Sequence, residues 1–381
     1  MRWVLAITAA ACGSSSAHAP DAAAESDAPR AIDAASDASN CPAITRFDPA
    51  PAAGVIGSDA PAAGVFDPSI VYPAGASAGA MSYSAVPDQM TIRTHVAVSS
   101  DGGATWTEVA EANTPEATTI ASSNVTECPG GTCSGNLISE VSSLVYDPTD
   151  PDTNAQWKLF AHRYLVGAGV ALHYDIGTIT LQTAPAPDGP WTAPAKWIGW
   201  NSASSYSSTG VQVNANDLAG TADCIALTEP GAIVLPGVLD LAVGCVYLDA
   251  GTPRIRIELL RSPDHGASFA SVGTLLTPAD TACLDPSAGS INGADLFVSG
   301  STEYVAATPS ASAGYEGCLV FPITDPVTGT VGKPTRAIAP TGGQFSGACT
   351  FADGAGGYAL DVGFFQATPP FRIARPGIAT P

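Results

Sequence analysis

The chain has 381 residues, 45% of them apolar and 13% charged, enough apolar content to bury a large core and too much for a disordered protein. Acidic side chains outnumber basic ones by 35 to 14, a formal charge of −21 that serves solubility and opposes binding to nucleic acid or to an anionic membrane surface. No glycine loop precedes a helix, HExxH is missing, and helical periodicity is lacking almost everywhere after residue 60, so that GASAG at 75–79 has no helix to form a nucleophile turn; redox, kinase and serine-hydrolase classes fall away.

Met1 and Arg2 precede an apolar run from Trp3 to Ala11, too short to span a bilayer and of the length of a signal-peptide core. Cys12 follows at once. AAAC followed by GSSS resembles a bacterial lipoprotein signal, in which the cysteine becomes the lipidated first residue of the mature protein. Ala9 stands where such signals usually carry Leu, and the basic region is short; an ordinary signal peptide cleaved elsewhere is the other reading. Either exports the chain. The resemblance makes residues 1–12 a signal segment and places the protein in the cell envelope, on the outer surface or in the periplasm, touching membrane only through its lipid, or otherwise secretes it. Residues 13–45, dominated by Ala, Ser, Asp and Pro, hold too little large apolar surface to fold and are expected to form a disordered tether. Residues 46–381 then form a single domain, expected to be monomeric.

Nine cysteines less Cys12 leave eight, and an even number in an exported chain favours disulfides. Cys128 and Cys133, in ECPGGTC, have a glycine loop able to turn the chain back and are expected to pair. Cys224 with Cys245 is the next choice. CPGGTC lacks the second pair and nearby His that zinc needs, so no metal is assigned.

From Phe66 the sequence reads FDPSIVY, AMSYSAV, IRTHVAV, a turn SSDGGATW and TEVAEA, four alternating runs separated by turn residues. The order returns at Ser139 as SEVSSLVYD, WKLFAHRYLV, IGTITLQTA and PAPDGPWT, and again as GAIVLPG, LDLAVGCVYLD, RIRIELLRS and SPDHGASF. GADLFVSG, TEYVAAT and GCLVFPI make a fourth pass; GACTFAD, GYALDVGFF and FRIARP make a fifth. Five copies of a four-strand unit predict an all-β fold, a five-bladed β-propeller of four-stranded antiparallel blades, with six blades as the alternative.

The turns SSDGGATW and SPDHGASF resemble the Asp box of sialidase-like and related β-propellers. The Asp carboxylate accepts N–H bonds inside the hairpin, Gly supplies positive φ, and the aromatic ring covers the outer strands. Asp101, Gly103 and Trp106, and Asp264, Gly266 and Phe269, are therefore structural residues.

Propellers carry chemistry at the axis, where inner strands begin, and three carboxylates precede the inner-strand runs: Asp67, Glu140 and Glu229. Convergence there would raise at least one pKa and supply an acid beside an ionised partner, the pair glycoside hydrolysis needs. The layout resembles the five-bladed glycosidases of the arabinanase, xylosidase and fructosidase type. The resemblance implies Asp67 as base or nucleophile, Glu229 as general acid and Glu140 as the third carboxylate, although the family's third member is normally Asp and Glu140 sits one residue out of register with Asp67. Trp200 and Tyr206, in a loop read as lacking strand pattern, could stack on sugar; His162 and Arg163 are further candidates for substrate contact. No cofactor is assigned, and the sequence does not support an axial Ca²⁺. A propeller that binds glycan or protein without chemistry is one alternative, and an exo-sialidase another. The latter calls for an arginine triad, for which Arg93, Arg163, Arg256 and Arg372 are candidates.

If Cys12 is the lipidated residue, the chain made in a bacterial host sediments with membranes and Cys12→Ala moves it to the soluble fraction. Wild-type protein that is already soluble would contradict the lipoprotein reading.

Overall fold

Short runs rich in Val, Ile, Leu and Thr, cut by Gly, Pro and Asp turns, favour strands almost throughout. The computed structural model describes residues 41–47, 56, 61–73, 76–88, 91–121, 128, 130–168, 171–201, 210–311, 314–315, 317–341, 345–354, 357–365 and 370–375. Cys12 and Tyr206 lie outside the described residues.

Strand β1 (Ile44–Phe47) comes first. The first sheet contains β2 (Val65–Val71), β3 (Gly79–Ala85), β4 (Arg93–Ser99) and β5 (Thr107–Asn113), antiparallel and in chain order. The second contains β6 (Glu116–Ala121), β7 (Thr132–Tyr146), β8 (Trp157–Gly167), β9 (Ala171–Ala184), β10 (Ala195–Gly199) and β11 (Val213–Asn214). The third contains β12 (Ala226–Leu235), β13 (Val238–Asp249), β14 (Thr252–Ser262) and β15 (Ala270–Leu276). The fourth contains β16 (Ser290–Ser299), β17 (Thr302–Ala311), β18 (Gly314–Tyr315), β19 (Cys318–Asp325), β20 (Thr330–Val331) and β21 (Arg336–Pro340), with β1 added parallel to β21 at its outer edge. The fifth contains β22 (Phe345–Gly354), β23 (Gly357–Phe365) and β24 (Arg372–Ala374). Strands β2, β7, β12, β16 and β22 each pack against the next, and β22 packs against β2, so the sheets close a ring around an axis. The fold is an all-β propeller.

Inner strands expose one edge of N–H groups to the axis, and those groups need acceptors. A belt of side-chain oxygens supplies them from sheet to sheet. Leu144 N–H donates to Ser69 Oγ (3.0 Å), Ala232 N–H to Ser143 Oγ (2.8 Å), Phe351 N–H to Asp295 Oδ2 (2.9 Å) and Ile70 N–H to Thr350 Oγ1 (3.2 Å). The third sheet has Gly231 at the matching position, where a Cβ would stand 1.9 Å from the Ala294 carbonyl oxygen.

The two Ser-x-Asp-x-Gly turns have the same hydrogen bonds. Ser99 Oγ donates to Asp101 Oδ1 (2.8 Å) and accepts from Gly103 N–H (2.8 Å), while Thr105 N–H and Oγ1–H reach the two Asp101 oxygens (3.0 and 2.7 Å). Ser262, Asp264, Gly266 and Ser268 repeat the set at 2.8, 2.7, 2.8 and 2.7 Å. Gly103 has φ of 82°, a left-handed conformation that favours glycine, and a Cβ there would also displace the ends of the Arg375 and Tyr72 side chains. Trp106 packs among Ile70, Met81 and Tyr83, and Phe269 meets Phe160 edge to face at 6.3 Å, tying the third sheet to the second.

Four disulfides join Cys41 to Cys283, Cys128 to Cys133, Cys224 to Cys245 and Cys318 to Cys349. Disulfides persist in oxidising compartments, which agrees with the export expected from the sequence. Two departures from the sequence reading stand out. Residues 41–45, assigned to the tether by composition, include Cys41, bonded to Cys283, and the start of β1. The segment around Trp197 and Trp200 is not a bare loop: β10 pairs with β9 through Lys196 and Ile198. Its alternation was obscured because Trp197 and Trp200 both turn toward the core, with a register shift between Lys196 and Ile198.

Ser143 is buried, and its hydroxyl is the acceptor for Ala232 N–H. Ser143→Ala leaves that group unpaired and is expected to cost about 1–3 kcal/mol in denaturant unfolding. An unchanged unfolding midpoint would show that the belt does not stabilise the ring.

Candidate active site

Each inner strand carries one extra residue relative to its partner, and every extra residue falls at the same height. The register slips between Phe66 and Ser69, Glu140 and Ser142, Thr228 and Gly231, Asn292 and Asp295, and Gly347 and Cys349. At each slip the backbone turns left-handed, at Asp67 (φ 52°), Val141 (46°), Glu229 (47°), Gly293 (59°) and Ala348 (50°). Four of the five are not glycine, and for a β-branched Val this region is an outlier. Such bulges re-aim side chains and gather at functional sites. Here they frame an axial cavity of about 20 Å³, room for about one water molecule, to which Asp67, Ser142, Pro230, Gly293 and Ala348 contribute one residue from each sheet.

Asp67 and Glu229 occupy bulge positions themselves. Glu140 stands one residue earlier, because in β7 the extra residue is Val141. The offset visible in sequence is thus real, and the longer glutamate arm brings its carboxylate within electrostatic reach of the others. Asp67 is 5% exposed and Glu140 7% exposed, and Glu229 is half-buried. Burial pushes all three carboxyls up, and mutual repulsion adds to it for Asp67 and Glu229. Asp67 moves well above its usual range, Glu140 to about 7 and Glu229 to about 8. The charges that bear on the trio are one another's. Asp67 accepts from Ser84 Oγ (3.3 Å) and from Val141 N–H. Glu229 accepts from Asn292 Nδ2 (3.1 Å), Gly293 N–H and the Tyr315 hydroxyl.

The second strand of the second sheet completes the cluster. Tyr164 donates its hydroxyl to Glu140 Oε2. Its ring lies 4.7 Å from both His162 and Tyr174, and His162 stacks on Tyr174 at 5.7 Å. Tyr174 reaches this position through an irregularity in the β8–β9 ladder, where Tyr164 pairs with Gly177 but Leu165 pairs with His173. A Cβ at Gly177 would come within 2.6 Å of Tyr174 O and 2.8 Å of His162 Nε2, so the stack needs that glycine.

The remaining sequence candidates fall in different places. His162 lies beside Tyr164, and burial holds its imidazole neutral, at about 3. Arg163, on the opposite face of β8, pairs with Glu116 at 2.7 Å. Trp200 is 7% exposed and packs with Ile198, Leu218 and Leu227 between the second and third sheets. Sequence reading missed Tyr164, Tyr174, Tyr315, Asn292 and Asp295. Asp295 is the belt acceptor of the fourth sheet, pushed up to about 7 by burial, and it lines the same axial cavity.

Among the described residues two groups have metal-ligating atoms within 4.8 Å of one another: Asp147, Asp150 and His265, and Asp223 with Cys224 and Cys245. Neither fits a metal well. Lys158 Nζ sits on Asp150 at 2.5 Å, and the two cysteines are joined to each other. Asp67, Glu140 and Glu229 are not among these groups.

No protein-family model matches the chain, and no curated protein matches its sequence. Solved structures do resemble it. The xylan β-1,4-xylosidase from Bacillus halodurans C-125 is 14% identical over 82% of this chain and 53% of its own, with a TM-score of 0.52. The Bombyx mori GH32 β-fructofuranosidase BmSUC1 is 13% identical over 83% and 60%, with a TM-score of 0.52. The Hadza microbial sialidase Hz136 is 11% identical over 83% and 66%, with a TM-score of 0.50. The chain thus spans between about half and two thirds of these proteins and shares with them the propeller fold of glycoside hydrolases.

The raised carboxyls fix how stability depends on pH. Folded Glu140 and Glu229 keep their protons up to about 7 and 8, whereas their ordinary value is 4.5. Through that window the folded chain binds more protons than the unfolded chain, so stability falls as pH rises. Asp101, held at about 2 by its turn, gives a stabilisation that is present above its ordinary 3.8 and lost only in acid, and buried His162, held at about 3 against an ordinary 6.5, offsets part of the fall below pH 6.5. Melting temperature is expected to drop between pH 5 and pH 8, and Glu229→Gln to lessen the drop by stabilising the chain more at pH 8 than at pH 5. Parallel curves for the two proteins would contradict the burial of an ionisable Glu229.

Proposed function

We propose that the chain is an exported glycoside hydrolase that cleaves an uncharged glycoside at the axial end of the propeller. Asp67 serves as base or nucleophile, Glu229 as general acid and Glu140 as the carboxylate that tunes the acid. One observation carries the reading: three carboxyls from three sheets meet where burial and mutual repulsion keep protons on some members at neutral pH. The trio titrates as a unit, so one member stays ionised while a neighbour holds its proton, the arrangement glycoside hydrolysis uses. The assignment of roles follows the resemblance at Asp67-Pro68 and Glu229-Pro230. In this mechanism Glu229 gives its proton to the leaving glycosidic oxygen, and Asp67, aligned by Ser84 and Val141 N–H, attacks the anomeric carbon or draws a proton from water. The chain is held at the envelope by lipid on Cys12, with the five sheets as five blades.

An uncharged sugar is favoured over a sialoside by the arginines. Arg93 pairs with Glu111 (2.8 Å), Arg163 with Glu116 (2.7 Å) and Arg256 with Asp223 (2.5 Å). A carboxylated sugar would meet three carboxyls at the axis, with like-charge repulsion in place of the guanidinium clamp an anion requires.

The test is release of sugar or chromophore from arabinosides, xylosides, fructosides, galactosides and sialosides. Activity is expected on an uncharged member of the panel. Asp67→Asn is expected to lose it on all leaving groups. Glu229→Gln should lose about 10²–10⁴-fold on poor leaving groups and less on activated aryl glycosides, which need no proton. Full activity in both variants would contradict the assignment; silence across the panel with retained glycan binding would favour a non-catalytic propeller.

A further inference from the structure

Glu140 acts on both other members of the trio: its charge is the largest electrostatic influence on Asp67 and also bears on Glu229. Its own hydrogen bond comes from Tyr164, at Oε2. Tyr164 is 1% exposed and its ring packs against both His162 and Tyr174, so the hydroxyl has little freedom to turn elsewhere. Toward Glu140 the phenol is the donor, because burial and the neighbouring carboxylate push its ionisation well above the usual value of 10, and the Tyr174 side chain hydrogen-bonds to it in turn. His162 brings no positive charge, since burial keeps it neutral. The groups facing Glu140 are therefore Tyr164, Tyr174 and His162 from its own sheet, Asp67 from the first, Glu229 from the third and Tyr315 from the fourth.

We propose that Tyr164 is a positioning residue that holds Glu140 as an anion within the trio and thereby keeps the proton on Glu229. The inference rests on the reading of Asp67, Glu140 and Glu229 as one site, and adds what sets the order in which they ionise. A carboxylate that accepts a hydrogen bond ionises more readily, and an anion beside a second carboxyl makes that one ionise less readily. Without the Tyr164 hydroxyl, Glu140 retains its proton to higher pH, and Glu229 titrates beside a neutral neighbour.

The experiment is a carbon-13 NMR titration of the full chain labelled at the glutamate carboxyl, in the absence of substrate. Glu140→Gln and Glu229→Gln identify the two resonances. In Tyr164→Phe, which keeps the ring stack, the Glu229 midpoint is expected about 1 pH unit lower than in wild type, and the Glu140 midpoint higher. Glu140→Gln should lower the Glu229 midpoint as well, and adding Tyr164→Phe to Glu140→Gln should move it no further. A Glu229 midpoint unmoved by Tyr164→Phe or by Glu140→Gln overturns the proposal, as does an equal movement with and without Glu140, which is what a purely structural Tyr164 would give. Because ionisation is read without turnover, a chain inactive on every glycoside can still satisfy this test, and an active one can still fail it.

Discussion

One extra residue per inner strand, with a left-handed backbone, is the constraint on which the rest of the molecule depends. In the first four residues of an ordinary inner strand, side chains would alternate between the two faces of a sheet. The bulge breaks that alternation at one height in all five sheets, at Asp67, Val141, Glu229, Gly293 and Ala348, and the first, second, fourth and fifth of these line the axial cavity, with Pro230 lining it beside Glu229. Non-glycine residues in this region cost about 1–3 kcal/mol each, and the surroundings offset that cost. Ser84 Oγ accepts from Val141 N–H at 3.3 Å, and Thr308 Oγ1 accepts from Ala348 N–H at 3.0 Å, so second-strand hydroxyls hold the bulges of the following sheet. The belt of Ser69, Ser143, Asp295 and Thr350 then satisfies the next N–H groups.

Burying three carboxyls at one end of such a ring is unfavourable unless they hold protons or gain donors, and both occur. Ser84, Asn292, Tyr164 and Tyr315 donate to the trio, as do the backbone N–H groups of Val141 and Gly293. Donors of this neutral kind keep the carboxyls responsive to one another, which a bound guanidinium would suppress by fixing them as anions. Two other buried carboxylates are treated in the opposite way: Asp240 is clamped by Arg261 at 2.7 and 2.5 Å, and Glu258 is paired with Arg256, each within a sheet.

The sequence revealed those features that are written locally. Asp67 and Glu229 could be found because each stands before a proline at the start of an apolar run, and the one-residue offset of Glu140 could be read by aligning its run with that of Asp67. The serine, aspartate and glycine of the two turns, with Thr105 in one and Ser268 in the other, satisfy one another within seven residues, so their pattern is legible without a partner strand. Tyr164, Tyr174 and Tyr315 are different: they gain their meaning only from the ladder that sets β8 beside β7 and from the irregularity that lifts Tyr174 over Tyr164. Asp295 looks like any acidic residue in a strand until the fifth sheet presents Phe351 N–H to it. The Cys41–Cys283 bond spans 242 residues, and nothing near either cysteine announces the other. For the same reason composition assigned residues 41–45 to the tether, whereas tertiary pairing with β21 makes part of them a strand.

The central claim is that the ring of bulges builds a sugar-cleaving site from Asp67, Glu140 and Glu229. Its most direct test is a crystal structure of the Glu229→Gln chain with an oligosaccharide the wild type cleaves. The account requires the sugar at the axial end, its glycosidic oxygen within hydrogen-bond distance of residue 229 and its anomeric carbon facing Asp67. A sugar seated on the outer strands, with the trio untouched, would contradict it.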